Sequence, residues 1–383
     1  MQNQGFEKLF ETDVLRKRER VERALNLQPV DRVPLHEQLS YNPSVIADYT
    51  GKVIIGYDYT LEDICSVIRQ TMDMCFPPTA PKGTQRVTDQ YGFVSQNDNW
   101  TAWHVSRPFH DVEGARQWLA RLTRDLREQL FDIATAKDGY RATMLDLQAR
   151  VGETVILNYS MTGLCSIYDR MGLELFSYFY SDYPNEMTAF METSTQCELR
   201  RVHAVADRQL SPVILIAEDF STKQGPIFSP AFLNEQHYPY VRKLVDAWHS
   251  HDIKVIYHSD GNYKKAIPAL MDCGVDGFYC LEPNCGMDIV QLKKQYPQMV
   301  WAGGIDGVTL MEFGTPEAVK TEVRRHILET NALETGGMFI ATSSEINPPV
   351  KPENFRAMAE AVGSLVNAHF MTEKSASQSI RHI

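Results

Sequence analysis

The sequence predicts an α/β fold, a parallel-stranded (β/α)8 TIM barrel preceded by an N-terminal helical extension, and two observations carry that prediction. From residue 155 onward, short apolar runs alternate with longer amphipathic stretches, the pattern of parallel strands joined by helical crossovers. One after another, these runs end in polar clusters: Glu218-Asp219, His258-Ser259-Asp260, Glu282, Asp306 and Ser343-Ser344-Glu345. A barrel builds its site from the carboxyl ends of many strands, whereas an open doubly wound sheet concentrates its site at one switch point. No GxGxxG follows a strand and no GxxxxGK[ST] loop occurs.

The elements follow in order. A helix is predicted over 13–27 from Val14, Val21, Ala24 and Leu25, closed by Pro29 and Pro34. Arg16-Lys17-Arg18 and Arg20 stand beside Glu19 and Glu22 and read as a solvated face of that helix. The remainder of the front third is irregular. Strands are then expected at 155–159, 213–217, 254–257, 277–281, 299–302 and 338–341. Helices are expected over 184–207, 230–251, 263–273, 287–296, 316–330 and 352–366. The organisation expected is one barrel domain over 1–370, with the extension and insertions in 1–150, and a flexible polar tail over 371–383.

Net charge is −11 and no long basic run occurs, which argues against a nucleic-acid or anionic-membrane surface. The first residues have no apolar core of a secretory signal, and no run is long enough to span a bilayer. Seven cysteines are scattered without a CxxC pair, as in a reduced, cytoplasmic protein.

Several stretches, in order, resemble the uroporphyrinogen decarboxylase superfamily. Arg18-Glu19-Arg20-Val21-Glu22-Arg23-Ala24-Leu25-Asn26 with Asp31-Arg32-Val33-Pro34 is similar to its opening. Gly225-Pro226-Ile227-Phe228-Ser229-Pro230, His258-Ser259-Asp260-Gly261-Asn262, Gly303-Gly304-Ile305-Asp306 and Asn347-Pro348-Pro349 with Asn354-Phe355 resemble later segments. The resemblance implies a barrel and one of two activities. Its decarboxylases carry an arginine-rich segment near the N-terminus, where this chain has Leu35-His36-Glu37-Gln38-Leu39-Ser40-Tyr41-Asn42-Pro43 and no arginine. A substrate with many carboxylates needs cationic partners, so tetrapyrrole decarboxylation is not expected.

The other activity is methyl transfer involving a protein-bound corrinoid. Thiol-methylating members hold zinc with a His-x-Cys pair and a later Cys. Here His258 is present, Asp260 replaces the paired Cys, and Ser343 or Ser344 stands at the later position, so both soft ligands are missing from the family's places. O-demethylating members hold zinc with two glutamates and a histidine, an order matched by Glu218, Glu235 and His258. The resemblance therefore implies a Zn2+-assisted methyltransferase acting on a small methoxylated donor, aromatic ones included, or a related donor, with a separate corrinoid protein as acceptor and a homodimer as the usual assembly. The alternative is a decarboxylase-like lyase acting on a small substrate without cobalt; a non-catalytic binding barrel is a third class.

The residues themselves leave choices open. His258 ends an apolar run and reads as a ligand or as a hydrogen-bonded strand-end histidine. Glu218 is favoured as ligand and Asp219 as a supporting or substrate-contacting acid, against a carboxylate that caps the next turn. Glu235 is a ligand or a helix-start carboxylate; Asp260 is a hard ligand, a catalytic acid or a turn residue. Tyr159, Phe228, Tyr257, Glu282, Asp306 and Ser344 are the expected substrate contacts. Cys280 is expected inside a strand as core, and Cys285 in a loop near the site.

Overall fold

Eight parallel strands form a ring in the computed structural model, which describes residues 7–128 and 133–371. In chain order they are β1 (His36–Glu37), β2 (Met74–Cys75), β3 (Val155–Ile156 continuing as Asn158–Ser160), β4 (Val213–Ala217), β5 (Lys254–His258), β6 (Gly277–Tyr279), β7 (Val300–Ile305) and β8 (Met338–Thr342). Each pairs with the next in parallel register, and a parallel bridge between Leu35 and Ile340 closes β8 onto β1. Glu37 reinforces that seam, accepting from the Thr342 N–H at 2.5 Å and its hydroxyl at 2.9 Å. Burial pushes the Glu37 carboxyl up to about 8 against those bonds. Of the tail expected over 371–383, residues 372–383 lie outside the described residues.

The strands are rich in Val, Ile and Phe because both faces are covered. Alternation sorts them into two cores. Met74, Val155, Leu157, Leu215, Ile256, Ala302 and Ala341 point inward. Ile214, Ile216, Val255, Tyr257, Phe278, Trp301 and Ile340 point outward against the helical layer. Helix Lys17–Leu25 joins the inner core through Val21, Ala24 and Leu25, and so plugs the amino end of the barrel.

That helix corrects one expectation. Lys17 and Arg20 are fully buried rather than solvated. Arg20 pairs with Asp31 at 2.7 Å and Asp73 at 2.8 Å; Arg32 pairs with Asp13 at 2.6 Å and Asp73 at 2.7 Å. The helix starts at Lys17 and not at 13, because Asp31 takes the Val14 and Leu15 N–H groups and Asp13 is engaged by Arg32. The helix expected over 230–251 breaks at His237 into Pro230–Gln236 and Tyr238–His249, since Pro239 has no N–H to continue the first. The front third is more ordered than expected, with helices Pro43–Thr50 and Leu61–Thr71 and an antiparallel meander of Gln85–Thr88, Val94–Asn97 and Ala102–Ser106. Among the described residues, no helix is long and apolar enough to cross a membrane.

Candidate active site at the carboxyl end of the barrel

The inward residues of β4 and β5 set the site. His258 pairs in register with Ala217, and both face the interior. Alternation from Ala217 turns Glu218 outward and returns Asp219 inward. Beyond His258 the chain must turn sharply under the hairpin of Ser221–Thr222 and Gly225–Pro226. Gly261 sits there at φ +76°, where a Cβ would lie 2.7 Å from the Thr222 carbonyl. Only glycine fits that turn, and it holds Asp260 over the cavity.

The cavity is about 720 Å³. His258, Asp219, Asp260, Glu282, Asp306, Ser344 and Tyr159 line it, as the sequence suggested. His258 Nδ1 lies 3.3 Å from Asp219 Oδ1, and Nε2 lies 3.8 Å from Asp260 Oδ1. Neither approach is a well-formed hydrogen bond, and Nδ1 is buried without a partner. Burial disfavours the imidazolium, but Asp219 outweighs it, with Asp260 and Glu345 assisting, and the His258 pKa is raised. Asp219 Oδ1 also accepts the Asp260 N–H at 3.0 Å. Asp306 takes the Val308 and Thr309 N–H groups, and Glu282 takes that of Gly261.

Four expected contacts are not brought to the cavity. Glu218 is 1% exposed and accepts from Thr162 N and Oγ1, both at 2.6 Å, Gly163 N at 3.0 Å and Cys165 N at 2.8 Å. It seats the start of helix Leu164–Met171, where a carboxylate meets free N–H groups. Glu235 is exposed on the short helix Pro230–Gln236, beside Tyr180 Oη at 3.3 Å. Tyr257 is on the outer face of β5, its hydroxyl 2.7 Å from His237 Nε2. Phe228 stacks on Phe232 at 4.6 Å in the helical layer. Cys285 lies beside Glu282 Oε2, 3.3 Å away, and does not line the cavity.

Cys280 is buried core as expected, but it lies past the strand end and also lines the cavity. It follows β6 at φ +63°, which breaks the alternation and turns the thiol inward next to Tyr279. Sγ lies 3.0 Å from Asp260 Oδ1 and 3.2 Å from the Ser343 carbonyl. Among the described residues, His258, Asp260 and Cys280 form a group whose potential ligand atoms all lie within 4.8 Å of one another. A thiol thus stands beside His258 and Asp260, from a strand end where no motif would place it. Tyr41, Phe76, Tyr140 and Tyr279 also line the cavity. Tyr41 and Phe76 come from the front third and Tyr140 from helix Ile133–Val151, and no shared spacing marks them.

A family model for uroporphyrinogen decarboxylase (URO-D) matches residues 148–365, more than half of the chain. The chain belongs to the URO-D family. Its match covers β3 to β8 and the acids from Glu218 to Glu345. Among solved structures, this URO-D chain is similar to a methyltransferase from Methanosarcina mazei, at 16% identity over 91% of this chain and 98% of that one, with a TM-score of 0.63. At that identity the likeness is one of fold, and it supports the TIM barrel. A xylose isomerase-like TIM barrel protein from Mycobacterium smegmatis matches at 14% identity over 67% of this chain and 90% of that one, with a TM-score of 0.33. No curated protein sequence matches significantly.

Glu218 offers a test of its place in this URO-D barrel. Glu218→Ala is expected to cost about 2–4 kcal/mol in urea unfolding, because several buried N–H groups lose their acceptor. Metal content should be unchanged. Loss of metal with unaltered stability would return Glu218 to a ligand role.

Proposed function

We propose that this URO-D family chain is a methyltransferase that takes a methyl group from a small donor in the barrel cavity and passes it to the Co(I) centre of a separate corrinoid protein. The observation that carries the proposal is the His258 imidazole, set between two carboxylates with the Cys280 thiol at its edge and with no well-formed hydrogen bond to Nδ1 among the described residues. Buried polar atoms are seldom left unpaired, and one imidazole, one carboxylate and one thiol suit a divalent ion of intermediate softness. His258, Asp260 and Cys280 are the residues that would hold it, in place of Glu218 and Glu235. Zinc bound there would act as a Lewis acid on the heteroatom that bears the methyl group.

The protein's own contribution is positioning. Asp219 sets the tilt of His258 from one side, and Tyr279 packs against the imidazole at 5.4 Å from the other. The Cys280 thiol, raised well above its ordinary range by burial and by Asp260, must release its proton for ligation. The likeness to the Methanosarcina mazei methyltransferase supports this branch of the family. So does the absence of arginine among the described cavity-lining residues, which leaves a carboxylate-rich tetrapyrrole only Lys82 and His258 as cationic partners.

The test is metal analysis of the purified protein together with a spectrophotometric assay of Co(I) loss in a corrinoid protein mixed with candidate donors. About one zinc per chain and donor-dependent Co(I) loss are expected. A protein that takes up no metal from zinc-buffered solution overturns the metal-assisted mechanism and favours a decarboxylase-like lyase without cobalt.

A further inference from the structure

The charge of the cavity indicates what it holds. Asp219, Asp260, Glu282, Asp306 and Glu345 line it, against Lys82 and His258. If Asp260 and the Cys280 thiolate balance a divalent ion, Glu282, Asp306 and Glu345 still remain. Glu282 and Asp306 are engaged by backbone N–H groups of their own loops. Glu345 is half-buried, and among the described residues no hydrogen bond or ion pair engages its carboxylate. Tyr41, Phe76, Tyr140, Tyr159 and Tyr279 supply aromatic surface in the same cavity. Aromatic faces and an uncommitted carboxylate are the surroundings that stabilise an organic ammonium.

We infer that the methyl donor is a cationic methylated amine, with Glu345 as its counter-charge and the aromatic rings as its walls. This rests on the methyl-transfer reading and names its substrate class; an ammonium nitrogen has no lone pair for a metal, so zinc would here order His258, Asp260 and Cys280 beside the donor and would not activate its leaving group. It replaces the small methoxylated donor suggested by family resemblance; an anionic one such as a methoxybenzoate would enter a field of its own sign. For a quaternary ammonium, the C–N bond breaks with its electron pair left on nitrogen. The methyl carbon bonds to the Co(I) of the corrinoid partner through the cobalt electron pair, and a neutral tertiary amine departs. No proton is required.

Choline and its neutral carbon isostere 3,3-dimethylbutan-1-ol, titrated calorimetrically into the full-length protein, separate charge from shape. Choline is expected to bind about tenfold tighter than the isostere, and less tightly as salt is raised. Glu345→Gln should weaken choline about tenfold and leave the isostere unchanged, with the circular dichroism spectrum preserved. Equal binding of the two compounds, no saturable choline binding, or an unaltered choline affinity in Glu345→Gln would overturn the inference. Methyl transfer is read separately from Co(I) absorbance. Choline selectivity without Co(I) loss for any methylated amine would sink the methyl-transfer reading while leaving the cation site standing.

Discussion

His258→Ala is expected to strip the protein of its metal and lower zinc affinity by more than about 100-fold, since even loss of an outer partner costs 10–100-fold. Donor-dependent methyl transfer should fall with it, while urea unfolding of the metal-free protein changes little. Cys280 provides the sharper comparison. Its left-handed backbone is strained for a residue with a side chain, and the fold keeps it there with the thiol against Asp260. Cys280→Gly removes the strain and the ligand together. The expected result is a metal-free fold at least as stable as the parent, with zinc affinity lowered comparably. Full zinc content in Cys280→Gly would mean that the thiol is packing only, and the ligand set would have to be drawn from Asp219 instead. Metal analysis after dialysis, paired with urea titration, reads both properties.

Asp73→Ala is expected to have the largest effect on stability, about 3–5 kcal/mol in urea unfolding at neutral pH. Asp73 has no exposed surface and joins Arg20 and Arg32, at 2.8 and 2.7 Å. Removing it leaves both guanidinium groups buried with less than their full complement of acceptors. Burial opposes ionisation of Asp73, but Arg32 and Arg20 outweigh it and hold the carboxyl down at about 2. A depressed folded-state pKa contributes stability that is complete above the unfolded value, about 3.9, and is lost as the pH falls through the folded value. The parent should therefore lose about 2–3 kcal/mol from this group between roughly pH 4 and pH 2. Asp73→Ala should show a shallower loss across the same window. Equal acid sensitivity of the two proteins would show that the cluster does not govern acid unfolding.

Periodicity alone determined much of this barrel. Apolar runs at 213–217, 254–257 and 338–341 are strands, and each ends where a polar cluster opens onto the cavity. His258 and Asp260 were recognisable as a pair two residues apart at the end of a buried run, a spacing that puts both on one face. Which of two adjacent acids turns inward was not legible. β4 is apolar on both faces, so Val213–Ala217 has no polar alternation to mark its parity. Only the register with β5 assigns Asp219 to the cavity and Glu218 to the helix behind it.

Tertiary structure also decided the features that depend on distant chain segments. Arg20 looks like one charge on an exposed helix until Asp31 and Asp73 are brought to it. The aromatic wall is partly built by Tyr41, Phe76 and Tyr140, which share no spacing with one another. Cys280 reaches the site through a single left-handed residue, which local preference disfavours and the surrounding packing imposes. The sequence by itself determined six of the eight strands and the chemistry available at their ends; the two-residue strands β1 and β2 lie in the front third it read as irregular. The tertiary structure determined which of those groups share the cavity, because inward facing is a property of register and closure, and neither is encoded within any one strand.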